Sequence, residues 1–111
     1  MHLPEQVARS YIEASNRNDQ QAMVDLFADD AEWIPISPIP PRSGKAAIAE
    51  RYLTEVKAMN APIVEATYVS DEARCVVEFI VDHPEHGRVP IVDVFDVSPA
   101  GVITRLAVYR R

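Results

Sequence analysis

The hydrophobic pattern changes its period partway along the chain, and this change restricts the possible folds more than any other feature. Before residue 60, apolar side chains recur mainly at helical spacing, whereas from residue 62 onwards they follow a two-residue period. Turn-forming residues divide the second half into predicted strands at 62–69, 75–83, 89–97 and 102–109. Helices followed by hairpin-linked strands are typical of an α+β domain with helices on one face of an antiparallel sheet. A curved sheet closed by helices has a mouth suited to a small apolar ligand.

Three helices and one short strand are predicted in the first half. The first helix covers residues 4–17, and the third begins at Ser43–Gly44. The short strand covers 31–36, and the proline-rich stretch 38–43 is predicted to be irregular. The apolar stripe of the second helix is formed by Ala22, Met23, Leu26 and Phe27, and that of the third by Ile48, Tyr52 and Val56.

Length and composition exclude several classes of protein. The 111 residues fit a single domain, 1–111, with 48% hydrophobic and 25% charged residues. A net charge of −6 argues against nucleic-acid binding, and no apolar run is long enough for a membrane span. Because Cys75 is the only cysteine, no internal disulfide forms, and a cytoplasmic location is expected.

Cysteine and histidine offer no metal site in this pattern. Cys75 lies in an apolar strand-like run, where a lone cysteine is ordinarily a core residue. His83 and His86 flank a turn and lack further ligands at zinc-like spacing. We expect neither a metal nor a cofactor.

A single acid, Asp93, lies in the middle of an apolar strand face. The two-residue period puts it on the same side as Val89, Ile91, Phe95 and Val97. If that face is buried, the carboxyl group either pairs with a cation or keeps its proton with a raised pKa, and a neutral acid can donate a hydrogen bond. In the alternative, Asp93 is solvated and the buried face is the opposite one, with Arg88, Pro90, Val92, Val94 and Asp96.

Two tyrosines, like Asp93, carry a polar group on a face that is predicted to be part of the core. Tyr11 lies on the apolar stripe of the first helix, and Tyr52 lies on that of the third. Such tyrosines are ordinarily core residues whose hydroxyl groups find a partner at an edge. If both converge with Asp93 on one interior, the three residues instead form a cluster of hydrogen-bond donors for an oxyanion.

Several short stretches carry a resemblance to a known family. They are Tyr11-Ile-Glu13, Leu26-Phe-Ala-Asp-Asp-Ala31, Pro41-Arg-Ser-Gly44 with Ala46-Ala-Ile48, Tyr52, and Ile91-Val-Asp93 followed by Gly101. With them, nearly the whole chain resembles the bacterial ketosteroid isomerases of the SnoaL-like, NTF2-like superfamily. The resemblance implies an NTF2-like (cystatin-like), cone-shaped α+β barrel, with three N-terminal helices packed on a curved antiparallel sheet.

The resemblance also implies roles for the three polar residues. By position, Tyr11 matches the oxyanion-hole tyrosine of the family, Asp93 matches its protonated aspartic acid, and Tyr52 matches the tyrosine that hydrogen-bonds to the first. A buried aspartic acid that stays neutral is an established feature of that family. The resemblance further implies a homodimer through the outer sheet face; in the alternative, the outward residues pack under the C-terminal segment. Those residues are Val76, Ile80, Val92 and Val94.

Position 35 departs from the family pattern. The general base of the family is an aspartate on the first strand, and the alignment places Pro35 there, which has no proton-accepting side chain. The strand period turns the neighbouring Glu32 to the other side, and Ser37 is too weak a base unaided. Trp33 lies on the same side of the strand as Pro35, where its ring would narrow the predicted pocket. In the alternative, Trp33 is simply a core aromatic residue.

Arg110 is a second departure, because the family has an apolar aromatic residue at that inward position. In one interpretation, Arg110 lies near Asp93 and favours the ionised form of its carboxyl group. In a second, Arg110 binds an anionic ligand. In a third, Arg110 belongs to a frayed C-terminus. Together with Arg110, the predicted ligand pocket includes Phe27, Trp33, Pro35, Val77, Phe79, Ile91 and Phe95.

Three functions fit this pattern. The first is an isomerase-like enzyme that uses Tyr11 and Asp93 on a carbonyl or enolate without the usual aspartate base, which would make isomerisation slow or favour a cyclisation, hydration or lyase step. The second is non-catalytic binding of a hydrophobic carbonyl or phenol ligand. The third is an interaction module whose pocket is filled by Trp33 and its neighbours. A ligand-sized cavity reaching Tyr11 and Asp93 would disfavour the third.

Overall fold

Helices occupy most of the first half of the chain and four long strands occupy the second, in the predicted order. The computed structural model describes residues 1–55 and 61–111. The helices are α1 (Leu3–Asn16), α2 (Gln20–Asp25) and α3 (Lys45–Glu50), which continues into a π-helical turn at Arg51–Glu55. The strands are β1 (Phe27–Ile34), β2 (Arg42–Ser43), β3 (Ile63–Ser70), β4 (Arg74–His83), β5 (Gly87–Val97) and β6 (Ile103–Arg110). No helix of these described ranges is long and apolar enough to cross a membrane.

All six strands belong to one sheet, in the order β2-β1-β6-β5-β4-β3. Strands β3 to β6 form an antiparallel meander, while β1 runs parallel to β6. The α+β, NTF2-like fold class predicted from the sequence is confirmed. The described strands do not close into a barrel, because β2 and β3 lie at opposite edges of an open sheet.

Three local predictions in the first half need correction. The side chain of Asp19 accepts a hydrogen bond from the Ala22 N–H and caps the start of α2. The helix ends at Asp25, before Leu26 and Phe27, which were predicted to lie on its apolar stripe. Phe27, predicted on the second helix, therefore begins β1. The strand predicted at 31–36 thus runs from Phe27 to Ile34 and ends before Pro35.

The stretch predicted to be irregular also contains a short strand. Its last two residues, Arg42–Ser43, form β2 by pairing with Glu32 and Trp33 of β1. Val56, predicted on the stripe of the third helix, lies outside the described residues.

The register of β5 confirms that Asp93 points inward. Its side chain is 4% exposed and lies on the face that also buries Ile91, Phe95 and Val97. Val92 and Val94, on the opposite face, are half-buried in this single chain. The largest fully buried side chains lie between the helices and the inner sheet face and include Phe27, Ile48, Val77, Phe95, Ile103 and Leu106.

Two further predictions about the strands are confirmed. Cys75 is fully buried on β4, as expected for a core residue. His83 begins the turn between β4 and β5, where its Nδ1 accepts hydrogen bonds from the backbone N–H groups of Glu85 and His86.

Candidate functional site

A cavity of about 320 Å³ lies between the helices and the inner face of the sheet. Its volume falls at the lower end of the range of small-molecule sites, ~300–1,000 Å³. The walls are mainly apolar and are contributed by α2 and by strands β1, β3, β4, β5 and β6. Representative wall residues are Met23, Trp33, Ile63, Phe79, Ile91 and Val108.

Tyr11 and Tyr52 meet inside this cavity, and their hydroxyl oxygens are 2.5 Å apart. Tyr11 comes from the buried stripe of α1, and Tyr52 comes from the π-helical turn after α3. The ring of Tyr11 packs edge-on against Phe27 and Phe95, with ring centres 6.2 and 5.2 Å away. These contacts fix the direction in which the Tyr11 hydroxyl points.

The two tyrosines keep their protons at neutral pH. Burial is the main reason that the pKa of Tyr11 and the pKa of Tyr52 are raised above their ordinary value. The pair therefore holds two hydroxyl protons but needs only one for the hydrogen bond between its members. The second proton is available for an acceptor in the cavity.

Asp93 brings a further potential donor to the same cavity. Burial raises the pKa of its carboxyl group to about 8, so the group is mostly protonated at neutral pH. Asp93 lines the same cavity as Tyr11 and Tyr52, and its charged form would raise the pKa of both. Within residues 1–55 and 61–111, the buried Oδ1 of Asp93 has no hydrogen-bond partner.

Tyr11 and Asp93 could either bond directly to each other or both bond to one ligand atom. In the described part of the chain, Tyr11 bonds to Tyr52 instead, and Asp93 bonds to neither tyrosine. The other arrangement, in which one ligand atom accepts from both Tyr11 and Asp93, is compatible with this geometry.

Arg51 is a cavity residue that the sequence pattern did not single out. Its guanidinium carbon lies 5.7 Å from the ring centre of Trp33, and the residue lines the cavity. It directly precedes Tyr52 in the π-helical turn. That turn directs consecutive residues to one cavity, which the helical period of an ordinary α-helix does not predict.

A polar rim was also missed as part of the site. Ser15 follows Tyr11 by four residues on the same face of α1, and it lines the cavity together with Asn18 and Gln20, which lie beyond the end of that helix. The four-residue spacing from Tyr11 was the signal in the sequence that could have identified Ser15. The rim offers hydroxyl and amide groups to the outer end of a ligand.

The predicted pocket residues divide into three groups. Trp33, Phe79 and Ile91 line the cavity with Tyr11, Tyr52 and Asp93. A second group is buried but is not part of the cavity lining, and it consists of Phe27, Val77 and Phe95.

Pro35 and Arg110 form the third group, and neither lines the cavity. Pro35 is half-buried beyond the end of β1. Arg110 lies opposite Ile91, on the inward register of β6, but it is at the end of the strand and its side chain is exposed, which favours the interpretation as an exposed chain end over a position beside Asp93. Glu32 is exposed, so the described lining contains no acidic side chain besides Asp93.

Solved structures share this fold. A protein from Sphaerobacter thermophilus is 26% identical, with a TM-score of 0.81, and the match covers 95% of this chain and 93% of that one. A proposed polyketide cyclase from Xanthomonas campestris is 22% identical, with a TM-score of 0.82 and coverages of 98% and 90%. A proposed ketosteroid isomerase from Kribbella flavida is 15% identical, with a TM-score of 0.80 and coverages of 98% and 78%.

Sequence comparison gives the family. Among curated proteins, none matches the chain. The profile of the SnoaL-like domain matches residues 8–106, which is most of the chain and includes Tyr11, Tyr52 and Asp93. The chain therefore belongs to the SnoaL-like domain family.

Proposed function

We propose that the protein binds a small, flat, mainly apolar molecule through one carbonyl or phenol oxygen. That oxygen accepts hydrogen bonds from the tyrosine pair and from the protonated carboxyl group of Asp93. The observation that carries the proposal is the buried Oδ1 of Asp93, which has no partner among the described residues although Asp93 lines a cavity. A buried polar atom without a partner is costly, and a ligand oxygen would relieve that cost.

The donors would also act on a reacting carbonyl. Two donors aimed at one oxygen in an apolar cavity stabilise the negative charge that develops when a carbonyl becomes an enolate. Two proteins of like fold, the proposed polyketide cyclase and the proposed ketosteroid isomerase, have names that refer to ketone-bearing molecules. These names support carbonyl chemistry at this site.

Catalysis by the family route would also need a base. In the described lining, Asp93 is the only acidic side chain, and it is mostly neutral at pH 7 because its pKa is raised to about 8. We therefore propose ligand binding as the primary activity. A reaction at this site would draw its base from the substrate or from water.

A filled-pocket interaction module is disfavoured by the open cavity of about 320 Å³, because Trp33 lines the space without filling it. A homodimer through the outer sheet face stays a prediction. The half-buried state of Val76, Val92 and Val94 in a single chain supports it.

Titration of 2-naphthol, followed by its fluorescence, tests the binding proposal. Tyr11→Phe and Asp93→Leu each remove one donor and should weaken binding about 10-fold, because a hydrogen bond to a buried oxygen contributes roughly 1–2 kcal/mol. Leu is used at position 93 because Asn would keep an N–H donor.

Matched controls are Tyr109→Phe and Asp82→Leu, whose parent side chains are exposed. Both should bind 2-naphthol like the natural protein. Absence of saturable binding, or equal affinity in all variants, would contradict the proposal.

A further inference from the structure

We propose that the ligand is an elongated molecule whose far end carries a hydroxyl group that binds Asn18 and Gln20, while its first oxygen meets Tyr11 and Asp93. This inference rests on the proposed function and narrows its ligand class. Asn18 and Gln20 would then select ligands by their length. The orientation of α1, the length of the cavity and the two side-chain amides support this inference.

Helix α1 lies along β3, and two contacts fix its direction. The guanidinium carbon of Arg9 is 4.0 Å from the ring centre of Tyr68, toward one end of β3. Asn16 is bonded to Ile63 at the other end of that strand. Tyr11, which follows Arg9 by two residues, therefore lies toward the Tyr68 end, and the end of α1 lies beside Ile63.

The strand register places Asp93 at the Tyr68 end of the sheet as well. Tyr68 pairs with Val77 of β4, which in turn pairs with Asp93 of β5. Ile63 pairs with Val81, four residues after Val77, and this separation is about 13 Å at ~3.3 Å per residue. Because Asp93, Val81 and Ile63 all line the cavity, the cavity extends along β4 for about this length.

Burial distinguishes the closed end of the cavity from its open end. Asp93 is 4% exposed at the closed end, which we call the floor. Ile63 is half-buried and Asn18 is exposed at the open end, which we call the mouth. Phe79 and Ile91, a buried strand pair, line the cavity between the two ends. The lining therefore has polar groups at the floor and at the mouth, with an apolar middle.

Asn18 and Gln20 supply two side-chain amides at the mouth. They follow Asn16, which is bonded to Ile63, and both line the cavity. Within residues 1–55 and 61–111, neither amide is hydrogen-bonded to another residue. An amide both donates and accepts hydrogen bonds, as a hydroxyl group does, so the two amides suit a ligand hydroxyl. In the alternative, water alone binds these amides, and a second ligand hydroxyl adds no affinity.

The test compares naphthols that differ in a second hydroxyl group. The oxygens of 2,6-dihydroxynaphthalene are roughly 8 Å apart, and a hydrogen bond of about 2.8 Å at each end extends the span to roughly 13 Å. Fluorescence titration should show at least about 5-fold tighter binding than for 2-naphthol, or about 1 kcal/mol, which is the net contribution of one hydrogen bond. This gain exceeds the one that two equivalent orientations of a symmetric ligand give. The isomer 2,3-dihydroxynaphthalene, whose hydroxyl groups are adjacent, should show no such gain.

Variants locate the effect at the mouth. Asn18→Gly combined with Gln20→Ala should abolish the gain, measured as the ratio of the two affinities within each protein. Glycine is used at position 18 because the φ of Asn18 is 56°, which glycine adopts without strain. Gln21→Ala, at the neighbouring exposed residue that does not line the cavity, should keep the gain. If the combined variant does not fold, the three ligands decide the matter on the natural protein.

The outcomes separate this inference from the proposed function. Equal binding of 2-naphthol and 2,6-dihydroxynaphthalene, or the same gain for both isomers, would overturn the elongated ligand. The proposed function would then stand if 2-naphthol binding still depends on Tyr11. A gain that persists in the combined variant would overturn the role of Asn18 and Gln20. If none of the three naphthols binds, the proposed function fails and this inference fails with it.

Discussion

The carboxamide of Asn16 binds the backbone of Ile63 with both of its polar atoms. Its Nδ2 donates to the Ile63 carbonyl at 3.1 Å, and its Oδ1 accepts from the Ile63 N–H at 2.8 Å. This pair of bonds joins the end of α1 to the first residue of β3. Because Ile63 lines the cavity, the connection fixes one wall of the site.

Asn16→Ala should therefore lower stability and ligand affinity together. Each lost hydrogen bond contributes roughly 0.5–1.5 kcal/mol, so we expect a fall of about 1–3 kcal/mol in the free energy of unfolding. Urea titration measures this change, and 2-naphthol titration measures the affinity. Gln21→Ala, which removes a hydrogen bond to Asp25 within α2, is the control and should leave affinity unchanged. Unchanged affinity in Asn16→Ala would show that the wall does not depend on this contact.

Asp93 should make the protein less stable as the pH rises. Its pKa is about 8 in the folded protein and 3.8 ordinarily, so the folded state holds a proton that the unfolded state releases. The stability from this group is complete below the ordinary pKa and is lost as the pH rises through the folded pKa.

The measurement is the free energy of unfolding at pH 5 and pH 9 in the natural protein and in Asp93→Asn, which cannot titrate. The natural protein should lose more stability than the variant over this interval, and the variant should be the more stable of the two at pH 9. A parallel pH dependence in both proteins would show that Asp93 is ionised throughout. Asp82→Asn, at an exposed position, is the matched control.

The natural protein should isomerise a β,γ-unsaturated ketone near the background rate. A positioned base contributes ~10²–10⁴ in rate, and the described lining has no acidic residue besides the largely protonated Asp93. Pro35→Asp should give less than about a 10-fold gain, because Pro35 does not line the cavity. Ultraviolet absorption of the conjugated enone measures both rates. Rapid turnover by the natural protein would mean that Asp93, or a residue outside the described ranges, acts as the base.

Phe95→Ala should be among the most destabilising single substitutions in the strands. Phe95 is 0% exposed and supports the ring of Tyr11, so its truncation should cost about 3–5 kcal/mol. Val69→Ala, at a side chain that is 74% exposed, should change stability by less than about 0.5 kcal/mol. Thermal and urea unfolding report both values. A cost below about 1 kcal/mol at Phe95 would mean that the core collapses around the gap.

Alternation along the strands was the most informative signal in the sequence. It predicted the four long strands, the buried face of β5 and the inward direction of Asp93, because one face of a strand must be apolar throughout to be buried. Short elements were harder to predict. Phe27 fits a helical stripe as well as the start of a strand, and only its pairing with Ile103 on β6 decides between them.

Site residues near chain irregularities were also hard to predict. Arg51 reaches the cavity from a π-helical turn, which no simple period describes. Arg110 follows the inward alternation of β6 but lies at the end of the strand, where the side chain is exposed. Periodicity gives the face on which a residue lies, but it does not show how far along the strand the cavity extends.

The parallel pairing of β1 with β6 has a consequence for when the cavity forms. Trp33 of β1 lies opposite Leu106 of β6, so one wall of the cavity joins an early segment of the chain to a late one. Contacts of such large sequence separation cannot form on the ribosome before β6 has been synthesised and has emerged. A nascent chain that ends before Ile103 therefore has no assembled wall with which to hold a ligand. By mass action, the ligand would stabilise the domain once it has folded and would not act as a template for its early folding.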